Sequence, residues 1–154
     1  MNLSLLLPKT IDNDFRGLRI GLVVFSLITA IIVVRSCIHI FAPDGGAQSI
    51  ATIPLDRYSP AASATIISMF ALWGQSQLLL GLIFLIVIFR YRSLVPLCYL
   101  ILVLEWGGRL VIGFYKPIET LETAPGAAAN LPVAAICAVM LLLSLIERKR
   151  PNAT

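Results

Sequence analysis

Four side chains able to carry charge stand inside stretches that otherwise suit lipid: Arg35, His39, Glu105 and Arg109. An arginine or acidic residue deep in a membrane span costs about 2.5–3.5 kcal/mol, so each needs a compensating arrangement. Glu105 and Arg109 are four residues apart, which on a helix stacks them one turn apart on one face. The plain role of such a pair is mutual neutralisation. The working role is a gated ion pair lining a polar pocket or a proton path. Arg35 and His39 share a face by the same spacing. All four together can build a cluster with excess positive charge, suited to a small anion, a lipid head group or a partner's carboxylate. The plainer alternative is that Arg35, a few residues before Pro43, snorkels outward along its helix.

Two further stretches belong with these residues. One is Trp73-Gly74-Gln75-Ser76-Gln77 and the other is Glu105-Trp106-Gly107-Gly108-Arg109. A hairpin turning at Tyr91 sets them opposite each other. Gly74, Gly107 and Gly108 then permit close helix approach, and Gln75 and Gln77 can bond across it. That is a structural contact; the functional alternative has Trp73, Trp106 and the polar groups walling a ligand pocket. At 1.5 Å per helical residue, depth can be counted from the basic end of each run. Arg35 lies about 24 Å above Arg19, and Arg109 about 25 Å above Arg92. Asn130 lies about 25 Å above Glu147, Gln75 about 22 Å above Arg90, and Glu105 about 20 Å above Arg92. One polar layer across a bundle, with Asn130 as its fourth contributor, is the simplest arrangement.

The elements that must hold these residues are four long apolar runs, at about 18–42, 64–89, 94–115 and 127–146. Each is long enough to cross a hydrocarbon core of about 30 Å as helix. Backbone groups in lipid must pair within their own segment, and the runs do not alternate as barrel strands would. The breaks are Ala42-Pro43-Asp44-Gly45-Gly46, the short basic turn Arg90-Tyr91-Arg92-Ser93, Lys116-Pro117, and Thr123-Ala124-Pro125-Gly126. Pro132 falls near the first turns of the last run, where proline is best tolerated. The expected fold is all-α: residues 1–154 as a single membrane domain, an integral four-transmembrane-helix antiparallel bundle. Leu3 to Leu7 are expected to form a short interfacial segment.

Composition agrees. Of 154 residues 58% are hydrophobic and only 13% charged, about half the charged share of a soluble domain. A soluble chain of this length cannot hide that much apolar surface. The net charge of +4 is spread beside apolar runs, without a basic stripe interleaved with aromatics, so no nucleic-acid partner is expected. Cys37, Cys98 and Cys137 each fall inside an apolar run and form no CxxC pair, so they read as free thiols. His39 is the only histidine, which leaves no set for a metal or haem site, and no cofactor is expected. No Ser-His-Asp or Cys-His arrangement and no phosphate-binding loop can be assembled. The first run is too long for the core of a cleaved leader and reads as an uncleaved span.

Basic residues set the orientation. Lys9, Arg16, Arg19, Arg90, Arg92, Arg148, Lys149 and Arg150 fall on one side, against Arg57 and Lys116 on the other. Both termini and the middle turn are therefore expected in the cytoplasm, with Tyr58, Tyr91 and Tyr115 near the interfaces.

The organisation resembles small uncharacterised four-span proteins of bacterial inner membranes. The shared features are a Gly-containing first span ending at Ala42-Pro43, Gln77 followed by Gly81, the basic turn at Arg90, and Gly108-Arg109. The resemblance implies a bacterial plasma membrane and no catalytic residues. The leading expectation for function is a non-enzymatic accessory or scaffold subunit, docking to another membrane protein or to a second copy of itself. Small size, short loops and no assembled active site support it. The alternatives are an oligomeric transporter or channel for protons or a small anion, and a binder of a lipid head group.

Overall fold

The computed structural model describes residues 1–148; Lys149 and Arg150 of the basic carboxyl-terminal group lie outside the described residues. The fold is all-helical, with four long helices. They are α1 (Arg19–Phe41), α2 (Pro60–Arg90), α3 (Val95–Tyr115) and α4 (Pro125–Ser144). All four are long and apolar enough to cross a membrane, and the chain is a multi-pass membrane protein. α1, α3 and α4 have 23, 21 and 20 residues, about 30–35 Å of helix each. α2 has 31 residues, about 46 Å, so it must tilt or project beyond the hydrocarbon.

Local chemistry explains the boundaries. Ser59 caps α2 by accepting a bond from the Ala62 amide, and Pro60 follows at the first helical position, where its fixed φ suits a helix start. α3 and α4 also carry proline in their first turn. Pro132 stands inside α4, in its second turn and deeper than the tolerated start. α1 ends at Phe41, where Ala42 is extended ahead of Pro43; the turn that follows needs Gly45 and Gly46 at φ of 60° and 73°, a left-handed conformation that glycine enters without a Cβ penalty.

Packing pairs the helices differently from the expected hairpin. α2 lies along α1, and α3 along α4, while α2 and α3 scarcely touch. Gly74 is the reason. It turns its bare face to α1, where a Cβ would come 2.7 Å from His39 Cβ and 3.0 Å from the Ser36 carbonyl. Gly81, two turns on, sits as closely on Val33. α1 meets this with a stripe of buried Gly21, Phe25, Thr29, Ile32, Ser36 and His39, spaced three or four residues apart. Gly107 and Gly108, expected to press on α2, have no neighbour within 4 Å of a Cβ position.

The two pairs join at the end of the bundle that carries both termini. Phe25 of α1 stacks against Phe84 of α2 and Tyr99 of α3, with ring centroids 5.2 and 5.5 Å apart. The Tyr99 hydroxyl donates to the Gly21 carbonyl at 2.6 Å. The segment before α1 straps this end shut. The Asn2 amide donates to the Leu145 carbonyl at 2.8 Å, the Arg148 amide to Arg16 at 2.9 Å, and the Ser93 amide to Asp12 at 3.2 Å. Ser93 Oγ both accepts from the Asp12 amide and donates to its carbonyl. Within the stretch Leu3 to Leu7, one short 3₁₀ turn, Leu3–Leu5, is held in this strap.

Candidate functional site

At the opposite end, the gap between the helix pairs is filled by charge and indole rather than by aliphatic packing. Glu105 and Arg109 form the expected pair along α3. Both Arg109 Nε and Nη2 donate to Glu105 Oε1, Nε at 2.6 Å. Gln77 reaches across from α2 to join them. Its amide nitrogen donates to Glu105 Oε1 at 3.2 Å, and its oxygen accepts from Arg109 Nη2 at 3.3 Å. One carboxylate oxygen thus takes every donor, and Glu105 Oε2 is buried with none.

The tryptophans do what hydrogen bonds do not. The Arg109 guanidinium lies 4.4 Å from the Trp106 ring centroid and 5.1 Å from that of Trp73. Arg35 reaches the same rings from α1, 4.9 Å from Trp73 and 5.6 Å from Trp106. Each arginine therefore touches both indole faces, whose negative quadrupole attracts a cation most strongly where water is scarce. Arg35 is half-buried against the two indoles. It makes no hydrogen bond and no ion pair among the described residues, and Glu105 acts on it only through space. Two guanidinium groups thus face one carboxylate, and that carboxylate is committed to Arg109.

His39 is beside the cluster but serves the loop. Its Nδ1 lies 2.7 Å from the Gly45 carbonyl; a carbonyl only accepts, so Nδ1 carries the proton. Its ring packs on Trp73 at 4.9 Å and on Phe70 at 5.5 Å. His39 therefore fixes both the turn that ends α1 and the edge of the indole cage. Asp44 finishes that turn, accepting from the amides of Gly46, Gln48 and Ser49 at 2.7–3.1 Å. Partial burial pushes the Asp44 carboxyl pKa up, but the bonds from Ser49, Gly46 and Gln48 outweigh it, and the net shift is downward.

Of the remaining candidates, Gln75 is exposed on the outer side of α2, away from the arginines. Residues two apart on a helix face differently, so Gln77 enters the cluster and Gln75 cannot. Asn130 is partly buried on α4, and its Oδ1 has no hydrogen-bond partner. Trp106 Nε1 is the third buried side-chain polar atom without one among the described residues. The three cysteines are free thiols, Cys98 and Cys137 buried. No group of three His, Cys, Asp or Glu side chains able to hold a metal occurs among the described residues.

Two contributors went unseen in the sequence. A Cβ on Gly126, in the first turn of α4, would lie 3.8 Å from Arg35 Nη1. The α4 amino terminus thus stands beside the unpaired guanidinium, and no side chain caps it. Pro125-Gly126 marks a helix start in the sequence, but nothing there tells which helix it abuts. Thr52 is the other, with φ of 57°, rare for a β-branched residue. It ties the two loops of this end together: its carbonyl accepts from the Leu121 amide at 2.9 Å and its hydroxyl donates to the Glu122 carbonyl at 2.8 Å.

Compared with protein-family models, with curated proteins and with solved structures, the chain matches none.

Proposed function

We propose that the protein is a non-enzymatic membrane subunit that receives an anionic group, from a lipid or from a partner in the membrane, in the cage built by Arg35, Trp73, Trp106 and Arg109. Arg35 carries this reading: its guanidinium lies against two indoles and makes no hydrogen bond or ion pair among the described residues. A guanidinium presents five donors in a planar fork suited to phosphate or carboxylate, and here the fork is unspent. The exposed apolar faces of α3 and α4 fit partner docking too, but lipid covers such faces equally well. The basic residues Lys9, Arg16, Arg19, Arg90, Arg92 and Arg148, on the end with the termini, support a cytoplasmic location for both termini in a bacterial inner membrane.

Native mass spectrometry of gently extracted protein tests this. Wild type is expected to retain an anionic lipid, small anion or acidic partner that Arg35→Gln loses. Equal co-purification by both proteins would sink the reading.

A second reading, proton movement through an oligomer, has its own support in Glu105 Oε2, a buried carboxylate oxygen with no hydrogen-bond partner. Glu105→Gln in proteoliposomes decides it. A proton carrier loses flux while still assembling, whereas an unchanged flux removes Glu105 from any proton path.

A further inference from the structure

The geometry points to the head group of an anionic phospholipid, entering sideways from the bilayer, with its phosphate between Arg35 of α1 and the amino terminus of α4. This rests on the anion-receiving reading of the same cage and names its ligand.

Three observations converge on that spot. Arg35 supplies an unpaired guanidinium fork. The first turn of α4 supplies backbone N–H groups that have no intrahelical acceptor and no side-chain cap, at the positive end of the helix dipole. The two are adjacent, with Arg35 Nη1 3.8 Å from where a Gly126 Cβ would stand. A glycine there leaves the approach to the backbone open. Trp106 Nε1, buried in the same cage and unpaired, is a further donor. Every one of these groups donates or attracts negative charge. Glu105, the nearby carboxylate, is ion-paired to Arg109 through Oε1 and makes no ion pair with Arg35.

The direction of access favours a lipid over a free anion. On the water side, the loops over residues 42–59 and 116–124 are knitted together at Thr52, Leu121 and Glu122. On the lipid side the outer half of α3 is bare. Gly107, Gly108 and Gly113 meet nothing within 4 Å, and Leu104, Val111 and Phe114 are exposed. Leu131 and Ile136 are exposed on α4 as well, apolar surface along which acyl chains can lie. A phosphate that arrives attached to such chains is delivered at the height of Arg35 without crossing the loops.

The chain has only two tryptophans, and both line the cage, so tryptophan emission, excited selectively over the four tyrosines, reports on this site. Full-length protein is reconstituted in nanodiscs of phosphatidylcholine with rising fractions of phosphatidylglycerol, and separately exposed to inorganic phosphate in pure phosphatidylcholine. The expected result is a saturable emission change with phosphatidylglycerol and none with inorganic phosphate. Arg35→Gln is expected to raise the half-saturating lipid fraction at least about tenfold, the equivalent of losing a charge-assisted hydrogen bond. Arg57→Gln, in the loop outside the cage, should leave it unchanged. If Arg35→Gln fails to fold, Gly126→Glu serves instead. An acidic residue suits a helix start, so this variant folds, but its carboxylate occupies Arg35 and abolishes the response. A response to inorganic phosphate equal to that with lipid overturns the lipid assignment and leaves the anion reading intact. Silence toward both overturns both. A wild-type response in Gly126→Glu, or in folded Arg35→Gln, overturns the site.

Discussion

The two ends of this bundle are built on opposite principles. At the end with the termini, Phe25, Phe84 and Tyr99 interlock, and the strap before α1 is bonded to Ser93, Leu145 and Arg148. Tyr99 is fully buried, yet its hydroxyl has the Gly21 carbonyl as partner. At the loop end charged and indole side chains lie between the helix pairs, and among the described residues three buried side-chain polar atoms lack partners. Unsatisfied polar groups are expensive in a low-dielectric interior, so a fold tolerates them where something other than stability is served. The contrast teaches that the terminal end holds the bundle together, while the loop end keeps polar groups that packing leaves unsatisfied; on the proposed reading these serve binding.

The sharpest way to break that contrast is to weaken the terminal end. Phe25→Ala removes the ring both neighbours stack on. It should cost about 3 kcal/mol, the low end for a buried aromatic, because lipid supplies no hydrophobic drive between helices. Reversible unfolding in mixed micelles measures it, and a loss no larger than that of Trp106→Ala would erase the distinction between the ends. Next in size are the glycines. Gly74→Leu, whose Cβ would meet His39 Cβ at 2.7 Å, should cost about 2 kcal/mol by overpacking. Gly108→Ala, with nothing within 4 Å, should instead stabilise by about 0.5 kcal/mol through helix propensity. The same micelle titration reads both, and opposite signs are the expected outcome.

That pair of glycines also marks how far the sequence could be read. The four helices were legible because length and hydropathy alone decide a span, and the Glu105–Arg109 pair because i,i+4 spacing is local. Gly74 and Gly108 look alike in the sequence, yet one packs on α1 and the other on nothing. Chain connectivity makes α2 and α3 look like partners; the pairing of α2 with α1 depends on side-chain shape over six turns, which no short motif encodes. The place of Arg35 was open for the same reason. Snorkelling and burial differ only by whether Trp73 and Trp106 come within reach, and both lie on other helices.

The smallest expected effect lies in the loop that roofs the cage. The Asp44 carboxyl has its pKa lowered by the fold, so its contribution is present above the ordinary carboxylate value near 3.9. It is lost as pH falls through the lower, folded value. Acidification to that range should loosen residues 42–59 first, seen as selective amide exchange there, while the strap at the other end stays protected. Simultaneous loosening of both would argue against an Asp44 origin. Asp44→Asn should make the loop's exchange insensitive to the same pH change.

Hydrogen–deuterium exchange in two kinds of nanodisc, phosphatidylcholine alone and phosphatidylcholine with phosphatidylglycerol, tests the division of labour most directly. The account predicts that the anionic lipid adds protection at the first turns of α4, around Gly126 to Asn130, and leaves the segment before α1 and the Tyr99 region unchanged. Equal protection at both ends, or none around Gly126, would contradict it.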